Sequence, residues 1–449
     1  MANYIIINNR LLISCLTKDL FVITTDIMVN EMNSYKLPTF GINYDEIGME
    51  WANACVGDNG YVDSKQYYDG YIQSAIKLME VIFESEKKEN YECQYWIDTF
   101  IYPICFSLRH SVEILLKRIS ETVILISKAR KRNDDLSKIE KNIAHHDIKI
   151  IWQGLKFIAI SNDERYDILF EKIEPFILEI GEIDPTGQTF RYAYSNDSIK
   201  HLTNVNIISI ARLYENTCML QADMKELFEL NDFIYREYCS GTFTKNMSRH
   251  KIQELAKDLP EKVNWGNELT KDYKIKLMAK YKISSNELSK VISIISNHYE
   301  MCCYLGVEIP LQGIEHENLF NFLDLWMKND KVARKYNIEY RETINQNEIK
   351  NIFHNGGGGF SFFTPRFVAD LYTLNYYAME ADGAERYTYR YNLKYEEYIS
   401  PNTSWNMMND LEHLFRKVTL GKNILRSMQL LNQKALTNII LERYSFLLN

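Results

Sequence analysis

DTFIYPICFSLRHSVEILLKRISETVIL, residues 98–125, carries the longest clean helical pattern in the chain. Ile101, Ile104, Cys105, Leu108, Val112, Leu115, Leu116, Ile119 and Val123 recur at the helical period and merge into one apolar stripe. Beside that stripe Arg109, Glu113 and Lys117 stand four residues apart and form a charged ladder. His110 points away from the stripe. A buried helix with a charged ridge needs partners for the ridge, so the rest of the chain is expected to pack around this element.

Working outward, the 449 residues suffice for two to three domains, and 46% apolar with 25% charged residues are ordinary globular values. Tyrosine is abundant, with 31 Tyr beside 21 Phe and 6 Trp. Such a composition suits an aromatic-rich helical core, or else a surface for a partner or for stacked bases. The net charge of −8 argues against a protein coated in positive potential for long duplex DNA. The densest basic run, KARKR at 128–132, reads as a solvated helix end, with a phosphate-contacting patch as the alternative. The eight cysteines include no C-x-x-C pair, so neither a disulfide framework nor a zinc ribbon is indicated. Charges interrupt every long apolar run, so no membrane partner is expected and the chain reads as cytoplasmic.

The fold class expected is mostly α: helical bundles in two lobes, with few or no strands apart from short N-terminal or loop hairpins. Residues 1–64 read as an irregular N-terminal segment, in which the runs IIINN and LLISCL suit either strands or a first helix. Residues 65–240 read as one helical domain. A polar stretch with Gly241, Pro260 and Gly266 marks a boundary, and 265–449 reads as a second helical domain. Within the first domain Asp147 is a plausible N-cap for a helix marked by Ile148, Ile151, Trp152, Leu155 and Ile158. Pro103 marks either a helix start or a kink.

Several groups invite chemistry. Arg109 and Glu113 can hold each other while the arginine fork meets an anion, or they can bridge helices. His110 suits proton transfer near neutral pH. His145, His146 and Asp147 offer metal-ligand atoms, but no dependable third or fourth ligand accompanies them, so no metal and no cofactor is expected. In the loop 181–198, Asp184–Pro185–Thr186–Gly187 signals a turn, and Phe190 and Tyr192 flank Arg191 with strand-like alternation. Lying over the ridge, Arg191 would pair with Glu113 or stand beside Arg109. The glycine run 356–359 lacks the P-loop pattern and reads as a linker leading to Pro365 at a helix start, with His354 and Arg366 as the groups to watch were it a binding loop. Serine-hydrolase, zincin, kinase, EF-hand and deaminase signatures are missing.

FIYPICFSLRHSVEILLKRI, then HHDIKIIW, then DPTGQTFRY resemble a helical module of uncharacterised bacterial proteins, loosely similar to the HEPN-like superfamily, over about 95–200. The segment 362–383 is similar to a C-terminal helix seen with that architecture. The resemblance implies an antiviral-defence or toxin-like role, a homodimer or a partner protein, and RNA or a nucleotide as the bound species. It also implies metal-independent ribonuclease chemistry, with Arg109 or Arg191 stabilising phosphate charge and His110 or His146 moving the proton. Arg109, His110, Glu113, His146 and Arg191 are therefore the candidate catalytic residues. That superfamily's signature places four to six residues between arginine and histidine, whereas here His110 follows Arg109 directly. The competing function is a non-catalytic sensor or regulator that binds a protein or nucleotide. An open cleft lined by these residues favours an enzyme; the same residues buried and mutually paired favour structure.

Overall fold

In the computed structural model the stretch 98–125 lies inside a 37-residue helix, the longest element described. The structure describes residues 53–59, 63–87, 93–132, 136–194, 199–354, 363–380, 383–401 and 404–448, together with three short N-terminal strands. The glycine run 356–359 and most of the irregular segment 1–64 lie outside the described residues.

The chain divides into two compact units, Met1–Tyr67 and Tyr68–Asn449. In the first, β1 (Tyr4–Ile7), β2 (Arg10–Ile13) and β3 (Thr25–Asp26) form an antiparallel sheet in that order. Tyr4 faces Ile13 and Arg10 faces Asp26. The described residues of the two runs left open by the sequence, 5–7 and 11–13, thus lie in strands.

The larger unit is helical, as expected. Its first lobe contains α1 (Ser64–Lys87) from Tyr68 onward, α2 (Cys93–Ala129), α3 (Leu136–Asn142), α4 (Ile148–Asn162), α5 (Tyr166–Ile183) and α6 (Ile210–Ser240). The stripe on α2 is its spine: every predicted stripe residue is buried except Ile101, which is half-buried. Ile148, Ile151, Trp152, Leu155 and Ile158 of α4 join that core, with Leu169, Phe170 and Ile173 of α5 and Leu220, Met224 and Leu227 of α6. Asp147 caps α4 through its side chain, which accepts from the amides of Lys149 and Ile150. Pro103 and Pro175 both lie in helix interiors, so of the two readings of Pro103, a helix start or a kink, the start is excluded. Each removes one backbone donor, and apolar packing of the long helices offsets that loss.

The second lobe holds two further cores. The smaller is built from α7 (Arg249–Asp258), α8 (Trp265–Glu268), α9 (Lys271–Tyr281), α10 (Ser285–Ser296) and a 3₁₀ turn at Met301–Leu305. Helix α7 falls where the sequence suggested only a polar boundary; Ile252, Leu255 and Ala256 are its buried face. The larger core gathers α11 (His316–Met327), α12 (Asp330–Tyr336), α13 (Gln346–His354), α14 (Pro365–Glu380), α15 (Glu385–Ile399), α16 (Ser404–Arg416), α17 (Leu420–Leu430) and α18 (Lys434–Arg443) around Phe322, Trp326, Phe367 and Tyr387. Pro365 opens α14, and Thr364 caps it by accepting from the Phe367 amide. Arg249 links the lobes: it contacts Glu237 of α6 at 3.8 Å and Glu385 of α15 at 2.7 Å, and also pairs with Glu300. Among the described residues no helix is long and apolar enough to cross a membrane.

Candidate functional site

The ladder on α2 forms, but it faces inward. Arg109 is 2% exposed and Glu113 4%. Arg109 Nε donates to the carbonyl of Asp184 at 3.2 Å, and Nη2 donates to the carbonyls of Pro185, at 2.9 Å, and of His146. Nη1 donates to Glu113 Oε2. The carboxylate's other oxygen takes Lys117 Nζ at 2.8 Å and His146 Nδ1 at 2.8 Å. Burial pushes the Glu113 carboxyl up, but hydrogen bonds from Lys117, Arg109 and His146 overcome it and hold the group down to about 2. The fork thus ties two chain segments, at His146 and at Asp184–Pro185, to α2. Two of its acceptors follow the last turn of α5: Asp184 is the helix's C-cap, and the Pro185 carbonyl also accepts from the amide of Ile148.

His110 is half-buried beside the ladder. Its ring stacks on Phe106, with centroids 5.6 Å apart, and meets Tyr71 edge-on at 4.5 Å. Burial, helped by Arg109, Arg191 and Lys117 and opposed by Glu113, lowers its pKa below the usual histidine value, so the imidazole is neutral at pH 7. His146 is the exposed member of the cluster. Glu113 orients its ring, yet no hydroxyl or thiol among the described residues is hydrogen-bonded to it. His145 is exposed.

The loop after α5 folds over the ridge. Asp184 Oδ1 accepts from the Thr189 amide at 3.1 Å, and Gly187 rests on the Arg109 guanidinium. Residues 188–192 form a turn, not the alternating strand expected: the amides of Arg191 and Tyr192 both donate to the carbonyl of Gln188. Arg191 is exposed and makes no ion pair with Glu113; its Nε donates to Gly187 O at 2.6 Å, and its guanidinium lies over Phe106 at 5.3 Å. The structure therefore gathers Arg109, His110, Glu113 and His146 into one cluster and leaves Arg191 at its edge.

The basic run at the end of α2 is neither a solvated end nor a phosphate patch at its centre. Arg130 is 2% exposed and donates to the carbonyls of Thr244, at 3.1 Å, and Asn162, and to the Tyr238 hydroxyl at 3.0 Å. Arg132 donates to Ser161 O, and Lys128 pairs with Glu140 at 2.7 Å. Asn162 and Ser161 end α4, so Arg130 does for α4 what Arg109 does for α5. Of possible metal ligands, Glu164, His250 and Glu254 come together among the described residues, but Lys251 already pairs with Glu164 at 2.8 Å.

Beside the ridge lies a chamber of about 470 Å³, within the range of small-molecule sites. Leu108 of α2, Phe176 and Ile180 of α5, Phe190, and Leu213 and Leu220 of α6 form its apolar walls. Cys105 also lines it, and burial pushes that thiol up to about 12, so it is no nucleophile at neutral pH. Thr217 of α6 is 1% exposed, lines the chamber, and its hydroxyl has no hydrogen-bond partner among the described residues. Phe190, Val205, Ile207 and Ile208 also line a neighbouring recess of about 830 Å³ that holds Arg191, Tyr192, Lys200 and His201. Sequence reasoning missed this chamber because four separate segments build it; of its lining, Arg109 stood among the candidate residues and Ile183 and Phe190 in the marked loop, but no local pattern brings them together.

The expectation of a HEPN-like ribonuclease is corrected by these observations. The arginine–histidine dyad of that chemistry is not seen: His110 directly follows Arg109, no histidine on α2 has the required spacing, and Arg109 is buried on backbone carbonyls. Compared with protein-family models, curated proteins and solved structures, the chain matches none.

Proposed function

We propose that this chain is a non-catalytic regulator that binds a small, largely apolar ligand in the chamber between α2, α5 and α6. The observation that carries the reading is the chamber itself: an apolar space of about 470 Å³ whose lining includes, among the described residues, a buried, unpartnered Thr217 hydroxyl and no activated nucleophile. Walls of Leu108, Phe176, Ile180, Leu213 and Leu220 suit an apolar ligand body, with Thr217 and Asn216 as polar groups it can meet. Arg109 both lines the chamber and holds the loop 184–187, so an occupant adjoins the tie that fixes that loop. A partner protein would read the loop's state. A cytoplasmic setting suits the six free thiols among the described residues.

The test uses an uncharged fluorescent probe, N-phenyl-1-naphthylamine, with the wild type and with Asn216→Trp, which places an indole on the chamber wall. The expected result is saturable one-site enhancement in the wild type, lost in a folded Asn216→Trp. Non-saturable enhancement, or equal binding by both proteins, overturns the reading.

A further inference from the structure

The chamber and the recess beside it differ in chemistry and share a wall. The recess carries Arg191 and Lys200, and Arg212 lies on the chamber's lining; all three are exposed. None has a carboxylate partner among the described residues, whereas Arg109 has Glu113 and Lys117 shares it. Asp98 and Glu179 are the carboxylates on the two linings, so the cations outnumber them. Arg191 is also held in place, by its bond to Gly187 O and by the Phe106 and Tyr192 rings. A fixed guanidinium without a carboxylate partner among the described residues, beside a largely apolar chamber, fits a ligand with two ends.

We infer that the ligand is an amphipathic anion, an alkyl or acyl chain of medium length bearing one carboxylate or phosphate head. The chain fills the chamber among Leu108, Phe176, Ile180 and Leu213, and the head lies in the recess against Arg191 and Lys200. Phe190, Val205, Ile207 and Ile208 line both spaces and form the apolar wall between chain and head. This inference rests on the chamber reading above and adds the charge.

The experiment is calorimetric titration, below micellar concentration, with decanoate, decyl phosphate, decanol and decyltrimethylammonium. Wild type and Arg191→Gln/Lys200→Gln are compared; both replaced side chains are exposed, so the fold is expected to survive. An anionic ligand should bind at least about tenfold more tightly than decanol, with decyltrimethylammonium weakest, and the double variant should erase that advantage. Whichever of decanoate and decyl phosphate binds more tightly identifies the head. Equal affinity for anion and alcohol, or an advantage untouched in the double variant, overturns the inference. If N-phenyl-1-naphthylamine still binds in that case, the chamber reading stands without the charge; if it does not, both fall.

Discussion

Gly187 sits directly on the guanidinium of Arg109: a Cβ built at Gly187 would stand 3.0 Å from Nη1 and 3.1 Å from Cζ. The residue also holds φ at +76°, a backbone conformation that side chains other than hydrogen disfavour. The loop over the ridge is therefore closed by a backbone that presses on the arginine whose bonds hold the loop's own start. Steric fit and hydrogen bonding specify the same arrangement.

Gly187→Ala should disturb both features at once. The substitution adds a methyl against the fork and a strained φ, with an expected loss of ~1–3 kcal/mol. Urea denaturation checks the size. Limited proteolysis should find the first new cut between 184 and 192.

Arg130 repeats the device at the far end of α2. Replacing it with alanine leaves the carbonyls of Asn162 and Thr244 buried without that donor, and about 3 kcal/mol or more should be lost. Tyr238→Phe removes a single hydroxyl that donates to Asn162 O and receives Arg130, and should cost about 1 kcal/mol. Equal and negligible effects in both variants would show that the carbonyls find other donors.

Glu113 gives the first lobe an acid-sensitive element. Its folded pKa of about 2 lies below the ordinary 4.5, so its contribution is fully present above pH 4.5 and is lost as pH falls toward 2. Glu113→Gln should therefore be less stable than the wild type at neutral pH, and the gap should narrow between pH 4.5 and 2. Denaturation midpoints of the two proteins across that range supply the comparison.

The stripe on α2 was legible because its period is local: a residue's neighbours along the helix decide whether its side is buried. The same holds for Asp147 and Pro365, whose roles follow from backbone geometry within one turn. The ladder Arg109–Glu113–Lys117 was legible as a spacing, and its inward direction was not. That direction depends on the carbonyls of Asp184 and Pro185, some 75 residues away, whose position no local pattern encodes. Arg130 misled for the same reason, since a basic run at a helix end resembles a solvated one until the end of α4 arrives beside it. Helix α7 was hidden by its polar composition: its buried face is narrow, and the helix becomes visible only when α10 and the turn at Met301–Leu305 cover Ile252 and Leu255. The chamber is the extreme case, because its lining comes from α2, α5, α6 and the 190–209 segment.

The most direct measurement is the unfolding free energy of Arg109→Gln beside amide hydrogen exchange over 184–192. A buried tie predicts a loss of ~3–5 kcal/mol, because Glu113 loses its buried partner, and it predicts faster exchange in that loop. A variant as stable as the wild type, with unchanged exchange in the loop, would contradict a structural ridge and return Arg109 to the candidates for a working anion site.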